Sequence, residues 1–375
     1  MELQVIRAEQ FPLGKPLPCN LYDRNGELLL KAGEVVNSHR QLDELSADGL
    51  FVPKKEKEEA PPEPPKNSPF VLLDALPGVV ERLFGYMSVE PNFAGRVLAV
   101  TKVIQEACEI DRDACVGWVF IGPDTRYVIA HPIHTAILCE LVARQLGWSE
   151  AERASLLNAA LTMNIGKFVL QHKLSVQAKP LDPAQRSEMQ AHCANGVAVL
   201  QKLDVDDSVW LNAVAQHHER LDGSGYPQQL SAEAIHREAR LIAVADVYAA
   251  LVTAQAHRPA YAANAALKAI YTQRGKQLDS QMTDTLIKVT GVFPPGCYVK
   301  LANGEIAVVA RHGPTPTAPI VYSFINPRGQ AVNVYAKREC GHTEFAIKEV
   351  LIKSKVVVTL NHKPKVWGYK TQSAT

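Results

Sequence analysis

The sequence predicts a mainly α-helical protein with a small β-rich module near its N-terminus and a second β-rich segment near its C-terminus. Three observations lead to this prediction. Apolar residues between positions 70 and 274 recur at helical spacing. The pairs Asn25-Gly26 and Asn303-Gly304 each separate two short apolar runs, which is typical of two-residue hairpins. A stretch rich in proline and charge separates the first module from the helical region.

Changes in composition along the chain set the expected boundaries. The four expected parts are the N-terminal β module at 1–52, a linker at 53–69, a helical domain at 70–293 with its core at 120–290, and a C-terminal β segment at 294–375. The linker has almost no apolar surface to bury, so it is expected to be extended or disordered. In the first part, a short helix is expected from Ser38 to Leu45 after the hairpin.

Local signals predict where some elements begin and end. Asp182 before Pro183 predicts a helix start, since Pro is favoured at the first helical position. Gly147 and Gly196 are expected to interrupt helices. In the C-terminal segment, strands are expected on both sides of the hairpin and in the apolar runs Ile320-Val321-Tyr322 and Val356-Val357-Val358.

Composition excludes several classes of partner. The formal net charge is +1 and the pI is about 7.7, so no nucleic-acid polymer or membrane surface is expected as a partner. The N-terminus resembles no signal peptide, and no apolar run is long enough to span a membrane. The 7 cysteines show no C-x-x-C spacing, which favours free thiols over disulfides or a zinc ribbon. A cytoplasmic protein is the expectation.

The most informative segment is HHERLDGSGYP, which runs from His217 to Pro227. Adjacent imidazoles followed by a Gly/Pro-rich turn indicate binding of a divalent cation. The segment resembles the signature of the HD-GYP family, bacterial metal-dependent phosphodiesterases that open cyclic di-GMP. This resemblance covers residues 120–290 and implies an HD-type helical bundle.

The resemblance also implies a set of metal ligands, which come from several helices in that family. Five positions of this chain match the family's order of ligands: His131, His192, His217, His218 and Asp246. Taken singly, His131 or His192 is more often a structural histidine, and Asp246 could be held in a salt bridge. The occurrence of all five in order favours binding of a divalent metal such as Fe or Mn. Because other ligand positions of the family do not match, one metal or none is expected rather than two.

One departure from the family concerns its catalytic His-Asp pair. This chain has Met163 and Asn164 at those positions. Asn lacks the charge with which Asp bridges two cations, and a thioether is a soft ligand that suits Mn, Fe(II) or Mg poorly. A full binuclear centre is therefore not expected, and hydrolysis is expected to be weak or lost.

Other positions concern the substrate. The resemblance gives Lys167 and Arg258 a role in binding phosphate, and it gives Gly225, Tyr226 and Pro227 a role in shaping the pocket rim. An exposed lysine and an ordinary tight loop are the alternatives for Lys167 and the GYP turn. Family positions that carry an arginine and a carboxylate hold Gln255 and Tyr127 here. Asn164 and Lys167 are the candidates for any catalytic role that survives.

Three hypotheses about function follow from these residues. The favoured one is a cyclic di-GMP signalling protein that acts as a nucleotide receptor or docks onto GGDEF-domain or other signalling proteins, with little hydrolysis. The alternative is an active phosphodiesterase that linearises cyclic di-GMP to pGpG or GMP with a rearranged or mononuclear site. A scaffold that binds neither nucleotide nor metal is the third.

Overall fold

The protein is described from a computed structural model, in which the chain divides into two compact units, Met1–Pro62 and Glu63–Thr375. The structure describes residues 3–6, 17, 20–38, 50–53, 68–170, 182–255, 258–356 and 363–369. Apart from Ser38, the predicted helix at Ser38–Leu45 lies outside these residues, as does most of the predicted linker. The two units are taken in turn.

The first unit contains a small antiparallel sheet. Its strands are β1 (Leu3–Ile6), β2 (Leu21–Tyr22), β3 (Leu28–Leu30) and β4 (Leu50–Pro53), in the order β1-β4-β2-β3. Strands β2 and β3 form the hairpin predicted at Asn25-Gly26, where Gly26 has a φ of 85°. The buried side chains of Leu21 and Leu50 belong to its small core.

The second unit is mainly helical, as predicted. Its longer helices are α1 (Pro69–Gly85), α2 (Phe93–Ile110), α3 (Arg112–Ile121), α4 (Tyr127–Gln145), α5 (Glu150–Thr162), α6 (Pro183–Lys202), α7 (Ser208–Gln216), α8 (Arg237–Val252), α9 (Ala263–Gln273) and α10 (Ser280–Thr290). Helix α4 is buried along nearly its whole length, which explains why apolar residues occur on all of its faces. Helices α2, α5, α8 and α10 pack around it.

Capping residues fix several of these helix starts. Helix α6 begins where Asp182-Pro183 predicts, and Asp182 forms a reciprocal capping box with Gln185. The expected interruption at Gly196 is wrong, because Gly196 lies inside α6. Its place there has a packing reason. A Cβ on Gly196 would lie 3.2 Å from Cγ1 of Val214, in α7, and 3.6 Å from the backbone nitrogen of Gly166, in the turn after α5.

The C-terminal part of this unit forms an antiparallel sheet of five strands. They are β5 (Tyr298–Leu301), β6 (Ile306–Arg311), β7 (Ile320–Ile325), β8 (Ala331–Glu339) and β9 (Ile347–Leu351), in the order β8-β7-β6-β5-β9. The predicted hairpin at Asn303-Gly304 and the predicted strand at Ile320–Tyr322 are both confirmed. The predicted strand at 356–358 falls mostly outside the described residues.

Ion pairs join this sheet to the start of α3. The Arg311 guanidinium donates to both carboxylate oxygens of Asp111, at 3.2 and 2.7 Å. The backbone N–H and ring Nδ1 of His312 lie 3.0 and 2.8 Å from the Asp113 carboxylate. A short final helix, α11 (Lys363–Val366), is followed by Tyr369, whose hydroxyl also donates to Asp111 at 2.9 Å. Asp111 thus holds the sheet while it caps α3.

None of the helices in the described part of the chain is long and apolar enough to cross a lipid bilayer.

Candidate metal centre

Three histidines, one from the middle of a helix and two from the end of another, converge in the second unit. His192 lies in the middle of α6, and His217 and His218 follow directly after α7. One ring nitrogen of each lies within 4.8 Å of the corresponding nitrogens of the other two. The rings also contact one another, with centroids 4.3 Å apart for His217 and His218 and 4.9 Å apart for His192 and His218.

Hydrogen bonds to carbonyls fix the protonation of two of these rings. The Nδ1 of His217 lies 2.8 Å from the Val214 carbonyl, and the Nδ1 of His192 bonds the Met189 carbonyl. A carbonyl can only accept, so each Nδ1 carries the proton and each Nε2 presents a lone pair. The two Nε2 atoms lie 3.2 Å apart.

The histidines are held in the neutral form that binds metals. Burial, followed by the charges of Lys167 and His217, lowers the pKa of His192 to about 2. Burial likewise lowers the pKa of His217 to about 4, although the Asp246 carboxylate opposes the shift. The pKa of His218 is also well below its usual value, because of burial and then the charge of His217. All three rings are therefore neutral near pH 7.

The donor set fits a single divalent cation. Two nitrogens bound about 2.0–2.1 Å from one cation are separated by about 3.0–3.4 Å, which matches the separation of the two Nε2 atoms. The Nε2 of His218 is buried and has no hydrogen-bond partner among the described residues. Lone pairs that face one another without a proton between them are unfavourable unless a cation is shared. His192, His217 and His218 are thus the residues that would hold it.

The loop after the histidines is anchored by Glu219. Its carboxylate accepts hydrogen bonds from the backbone N–H groups of Gln228 and Leu230, at 2.6 and 3.0 Å. Gly225 passes so close to the start of this loop that a Cβ there would lie 2.5 Å from the Arg220 nitrogen. The loop is therefore fixed at both sides of its GYP turn.

This anchoring places Tyr226 over the histidine cluster. Its ring stacks on His218 with centroids 4.7 Å apart and an interplanar angle of 24°. The structure therefore brings Tyr226, with its neighbours Gly225 and Pro227, to the edge of the metal-binding residues. Burial raises the pKa of Tyr226, so the hydroxyl stays protonated and can act as a donor.

The other two predicted ligands pair with each other. The Nε2 of His131, in α4, lies 2.8 Å from Oδ1 of Asp246, in α8. Burial opposes ionisation of Asp246, but the hydrogen bond and charge of His131 outweigh it and keep the pKa of Asp246 far below its usual value. On its other face His131 stacks on Tyr127, with centroids 4.9 Å apart. Tyr127 therefore fills space next to His131 where the resembled family has a carboxylate.

The Met163-Asn164 pair lies at the end of α5. Met163 is fully buried and belongs to the main hydrophobic core. Asn164 is also buried, and its Oδ1 has no hydrogen-bond partner among the described residues. An amide oxygen in this position can accept one hydrogen bond or weakly ligate a cation, but it brings no negative charge.

The two predicted phosphate-binding residues have different environments. Lys167 is buried, and burial lowers its pKa although the Asp246 charge opposes the shift. Arg258 donates to the Ala250 carbonyl, and its guanidinium lies 5.1 Å from the centroid of the Tyr261 ring. Among the described residues, Arg258 has no hydrogen bond or ion pair with the three histidines. The positive charge of Lys167 therefore acts on all three histidines. Arg258 has no such described interaction with them.

Two residues of the site were missed by the sequence reasoning. The Cys193 thiol lies 3.7 Å from Nε2 of His192, and burial raises its pKa to about 12. The one indication in the sequence that Cys193 belongs to the site is its position next to His192. Neighbouring residues of a helix point in different directions, so this position does not predict the contact. Glu219 stands inside the HHERLDGSGYP segment, but its contacts with Gln228 and Leu230 depend on a loop conformation that spacing does not specify.

Comparison with known proteins places this domain. Residues 119–282 match the HD domain family. The chain is 37% identical over 150 residues to the cyclic di-GMP phosphodiesterase response regulator RpfG of Xanthomonas campestris, a match that covers 40% of this chain and 39% of that protein. It is 27% identical over 219 residues to the cyclic di-GMP phosphodiesterase PA4108 of Pseudomonas aeruginosa, covering 58% of this chain and 53% of the relative. Residues 119–282 are thus an HD domain, similar in sequence to these cyclic di-GMP phosphodiesterases.

A third relative has a different substrate in its name. It is the 3'3'-cGAMP-specific phosphodiesterase 3 of Vibrio cholerae, 32% identical over 168 residues, with 45% of this chain and 36% of that protein covered. The chain thus spans about half or less of the length of these three relatives. The matched part includes the candidate metal centre.

Proposed function

We propose that this chain is a cyclic di-GMP signalling protein that binds one divalent cation and the nucleotide, with hydrolysis weak or lost. The observation that carries the proposal is that one set of predicted ligands is free to bind a cation, whereas the other set is bonded internally. His192, His217 and His218 converge as neutral donors. His131 and Asp246 instead bond each other, beside an uncharged Asn164.

The residues near Asn164 supply too little charge for a second cation. Asp246 is the one carboxylate among the predicted ligands, and its charge is already shared with His131 and Lys167. Met163 is turned into the hydrophobic core. A second cation would have the His131 nitrogen, the Asp246 carboxylate and the uncharged Asn164 amide as ligands, and the first two already bond each other.

The chain's own residues provide elements of a nucleotide site. The chemistry that a divalent cation supplies in such a site is Lewis acidity toward a phosphodiester. The ammonium of Lys167 offers a second positive charge near the histidines. Tyr226 offers a stacked aromatic ring and a protonated hydroxyl at the rim. Substrates named for the relatives, cyclic di-GMP and 3'3'-cGAMP, are both cyclic dinucleotides, which present phosphates and aromatic bases together.

The rim of this site also offers a surface for protein partners. Residues Gln228 and Gln229, after the GYP turn, are exposed, while Glu219 holds the loop from below. Such a fixed, exposed loop supports the proposal that GGDEF-domain or other signalling proteins dock here. Nucleotide binding and docking could share one loop.

An active phosphodiesterase is the second candidate. One observation favours it: the three-histidine set is complete and neutral, with His192 and His217 buried and His218 half-buried, so a mononuclear site is available for catalysis. In that case Lys167 would neutralise the phosphate, and the nucleotide would be linearised to pGpG or GMP.

Isothermal titration calorimetry tests the favoured proposal. The protein, loaded with Mn(II), is titrated with cyclic di-GMP and separately with 3'3'-cGAMP. We expect binding of cyclic di-GMP at micromolar concentrations or below, and weakening by at least about tenfold in Lys167→Met, since a charge-assisted phosphate contact contributes about 1.5–3 kcal/mol. Absence of binding by either nucleotide to folded, metal-loaded protein would contradict the proposal and leave a scaffold role.

A further inference from the structure

A half-open cavity lies between the helical domain and the C-terminal sheet. Its volume is about 390 Å³, within the range of about 300–1,000 Å³ that is usual for small-molecule sites. The end of α3, one face of α4, the segment between α8 and α9, and the end of β9 line it. None of His192, His217 and His218 lines it, so it is separate from the candidate metal centre.

The cavity wall is mostly apolar with a small polar floor. Val119, Phe120 and Leu351 contribute apolar surface. On the floor, Nδ1 of His134 lies 3.1 Å from the hydroxyl of Thr253. Burial, and then the charges of His131 and Lys353, lower the pKa of His134 to about 3, so the imidazole is a neutral hydrogen-bonding group.

One cation stands at the rim. The Lys353 ammonium lies 2.9 Å from the carboxylate of Asp124, and the side chains are 53% and 94% exposed. Exposed ion pairs of this kind are weak, so the Lys353 ammonium can exchange partners at little cost. The Lys353 charge also lowers the pKa of His134 at the floor of the cavity. Its partner Asp124, by contrast, extends almost wholly into solvent.

The floor of the cavity is joined to the candidate site by two helices. The His131–Asp246 hydrogen bond links α4 to α8. The His134–Thr253 hydrogen bond links the same helices farther along, about one turn on in α4 and two turns on in α8. A molecule that takes a hydrogen bond from His134 or Thr253 therefore acts on the packing that also holds His131 against Asp246.

We infer that this cavity is an effector site for a small, largely apolar molecule with one anionic group, whose occupation is transmitted along α4 and α8 to the His131–Asp246 pair. The apolar wall accepts the body of the molecule, and Lys353 accepts the anion. Neutral His134 and Thr253 orient it. This site is independent of whether the domain hydrolyses a nucleotide.

The aromatic sulfonate 1-anilinonaphthalene-8-sulfonate is a suitable probe, because it combines an apolar body with one anion and reports binding by fluorescence. Its uncharged analogue N-phenyl-1-naphthylamine is the matched control for the anion. Two variants test the site: Ala260→Trp fills the cavity and Lys353→Met removes the cation. Val79→Asp is the control in the exposed groove between α1 and α2, whose volume is about 610 Å³.

We expect one equivalent of the sulfonate to bind, at least tenfold more weakly in Ala260→Trp and Lys353→Met but unchanged in Val79→Asp. The uncharged analogue should be insensitive to Lys353→Met. Sulfonate binding that only Val79→Asp weakens, or that neither cavity variant weakens, would overturn the assignment. Because the Lys353 side chain is half-exposed, Lys353→Met is expected to fold. It therefore tests the site even if Ala260→Trp fails to fold.

Hydrogen exchange of the wild-type protein localises the effect. With the sulfonate bound, exchange should slow in peptides that cover 119–125, 252–261 and 350–356, and change in those that cover 128–134 and 246–252. Protection confined to residues 71–103 would overturn the site. Protection at the cavity without any change at 128–134 and 246–252 would overturn the coupling.

Discussion

At the scale of single residues, the positions of two ring protons, one on His192 and one on His217, decide how the candidate centre works. Because the Nδ1 atoms of His192 and His217 donate to carbonyls, their Nε2 lone pairs must face the same small space. His218 adds a third nitrogen that has no partner among the described residues. These contacts explain why vicinal histidines are useful here: the backbone sets each tautomer, and burial keeps each ring neutral.

We predict that His218→Ala weakens binding of Co(II) or Mn(II) by more than about tenfold. Substitution of residues that merely support metal ligands already costs about 10–100-fold, so loss of a ligand should cost at least as much. Titration followed by the Co(II) absorption spectrum measures the affinity. The matched control is His236→Ala, which removes an exposed histidine at the start of α8. Equal affinities of the two variants would contradict the assignment.

We predict that Gly225→Ala displaces the GYP turn and lowers stability by about 1–3 kcal/mol, since a Cβ would lie 2.5 Å from backbone atoms of Glu219 and Arg220. Nucleotide affinity should fall with the loss of the Tyr226–His218 stack. Urea unfolding and calorimetry measure both effects. Gly78→Ala, in an exposed turn of α1 with nothing within 4 Å of the new Cβ, is the control and should not destabilise. A stable, tight-binding Gly225→Ala protein would show that the turn is not fixed as described.

Much of the site could be predicted from single residues, but its pairing could not. The motif around His217 and the order of the histidines indicated which side chains belong together. That His131 bonds Asp246, and that Cys193 lies against His192, depends on how α4, α6 and α8 cross. Sequence spacing indicates which side chains share one face of a helix. It does not indicate which other helix packs against that face.

At the scale of elements, the C-terminal sheet is held to the helical domain by two carboxylates of α3. Asp111 binds Arg311 and Tyr369 while it caps its own helix, and Asp113 binds His312. Such charge-assisted hydrogen bonds contribute about 1.5–3 kcal/mol each when they are shielded from water. The cavity of the proposed effector site depends on this attachment.

We predict that Asp113→Asn destabilises the protein by about 1–3 kcal/mol at pH 6 and by less at pH 3. Burial opposes ionisation of Asp113, but hydrogen bonds and charge from His312 outweigh it and lower the pKa below the usual 3.8. A lowered folded-state pKa gives stability that is fully present above about pH 4 and is lost as the pH falls through the folded value. Urea unfolding at both pH values measures the difference. A destabilisation that is equal at pH 3 and pH 6 would contradict this role.

Local turn chemistry explains which elements were predictable. The two Asn-Gly hairpins were predicted because glycine accepts the positive φ that the turn requires, 85° at Gly26 and 91° at Gly304. Gly196 was predicted wrongly, because a glycine inside a helix can serve close packing instead of ending the helix. The contact that explains it, between a Cβ at position 196 and Val214, comes from another element.

At the scale of the whole molecule, the mainly helical fold with β-rich ends follows from composition and periodicity, as the sequence predicts. The cavity between bundle and sheet does not, because its walls come from segments more than 200 residues apart in the chain, such as those at Val119 and Leu351. Composition could not reveal that His134 and Thr253 repeat the helix pairing of His131 and Asp246.

We predict that a bound cation raises the thermal unfolding midpoint of the intact chain by a few degrees. Binding only to the folded state at about 100 times the dissociation constant contributes about 2.7 kcal/mol, and chelation should remove it. Calorimetry with Mn(II) and with a chelator measures the shift. His217→Ala should lose most of it, and an equal rise in that variant would place the cation elsewhere.

The most direct test of the central claim, one cation site with weak or lost hydrolysis, is a side-by-side assay of cyclic di-GMP hydrolysis. Anaerobically purified wild-type protein and the double variant Met163→His/Asn164→Asp are supplied with Mn(II) or Fe(II), and products are separated by chromatography. We predict at least about 100-fold faster product formation by the double variant, since a restored bridge and second cation should lower the barrier by several kcal/mol. Wild-type turnover as fast as that of the double variant, and abolished by His217→Ala, would contradict the account and identify the chain as an active phosphodiesterase.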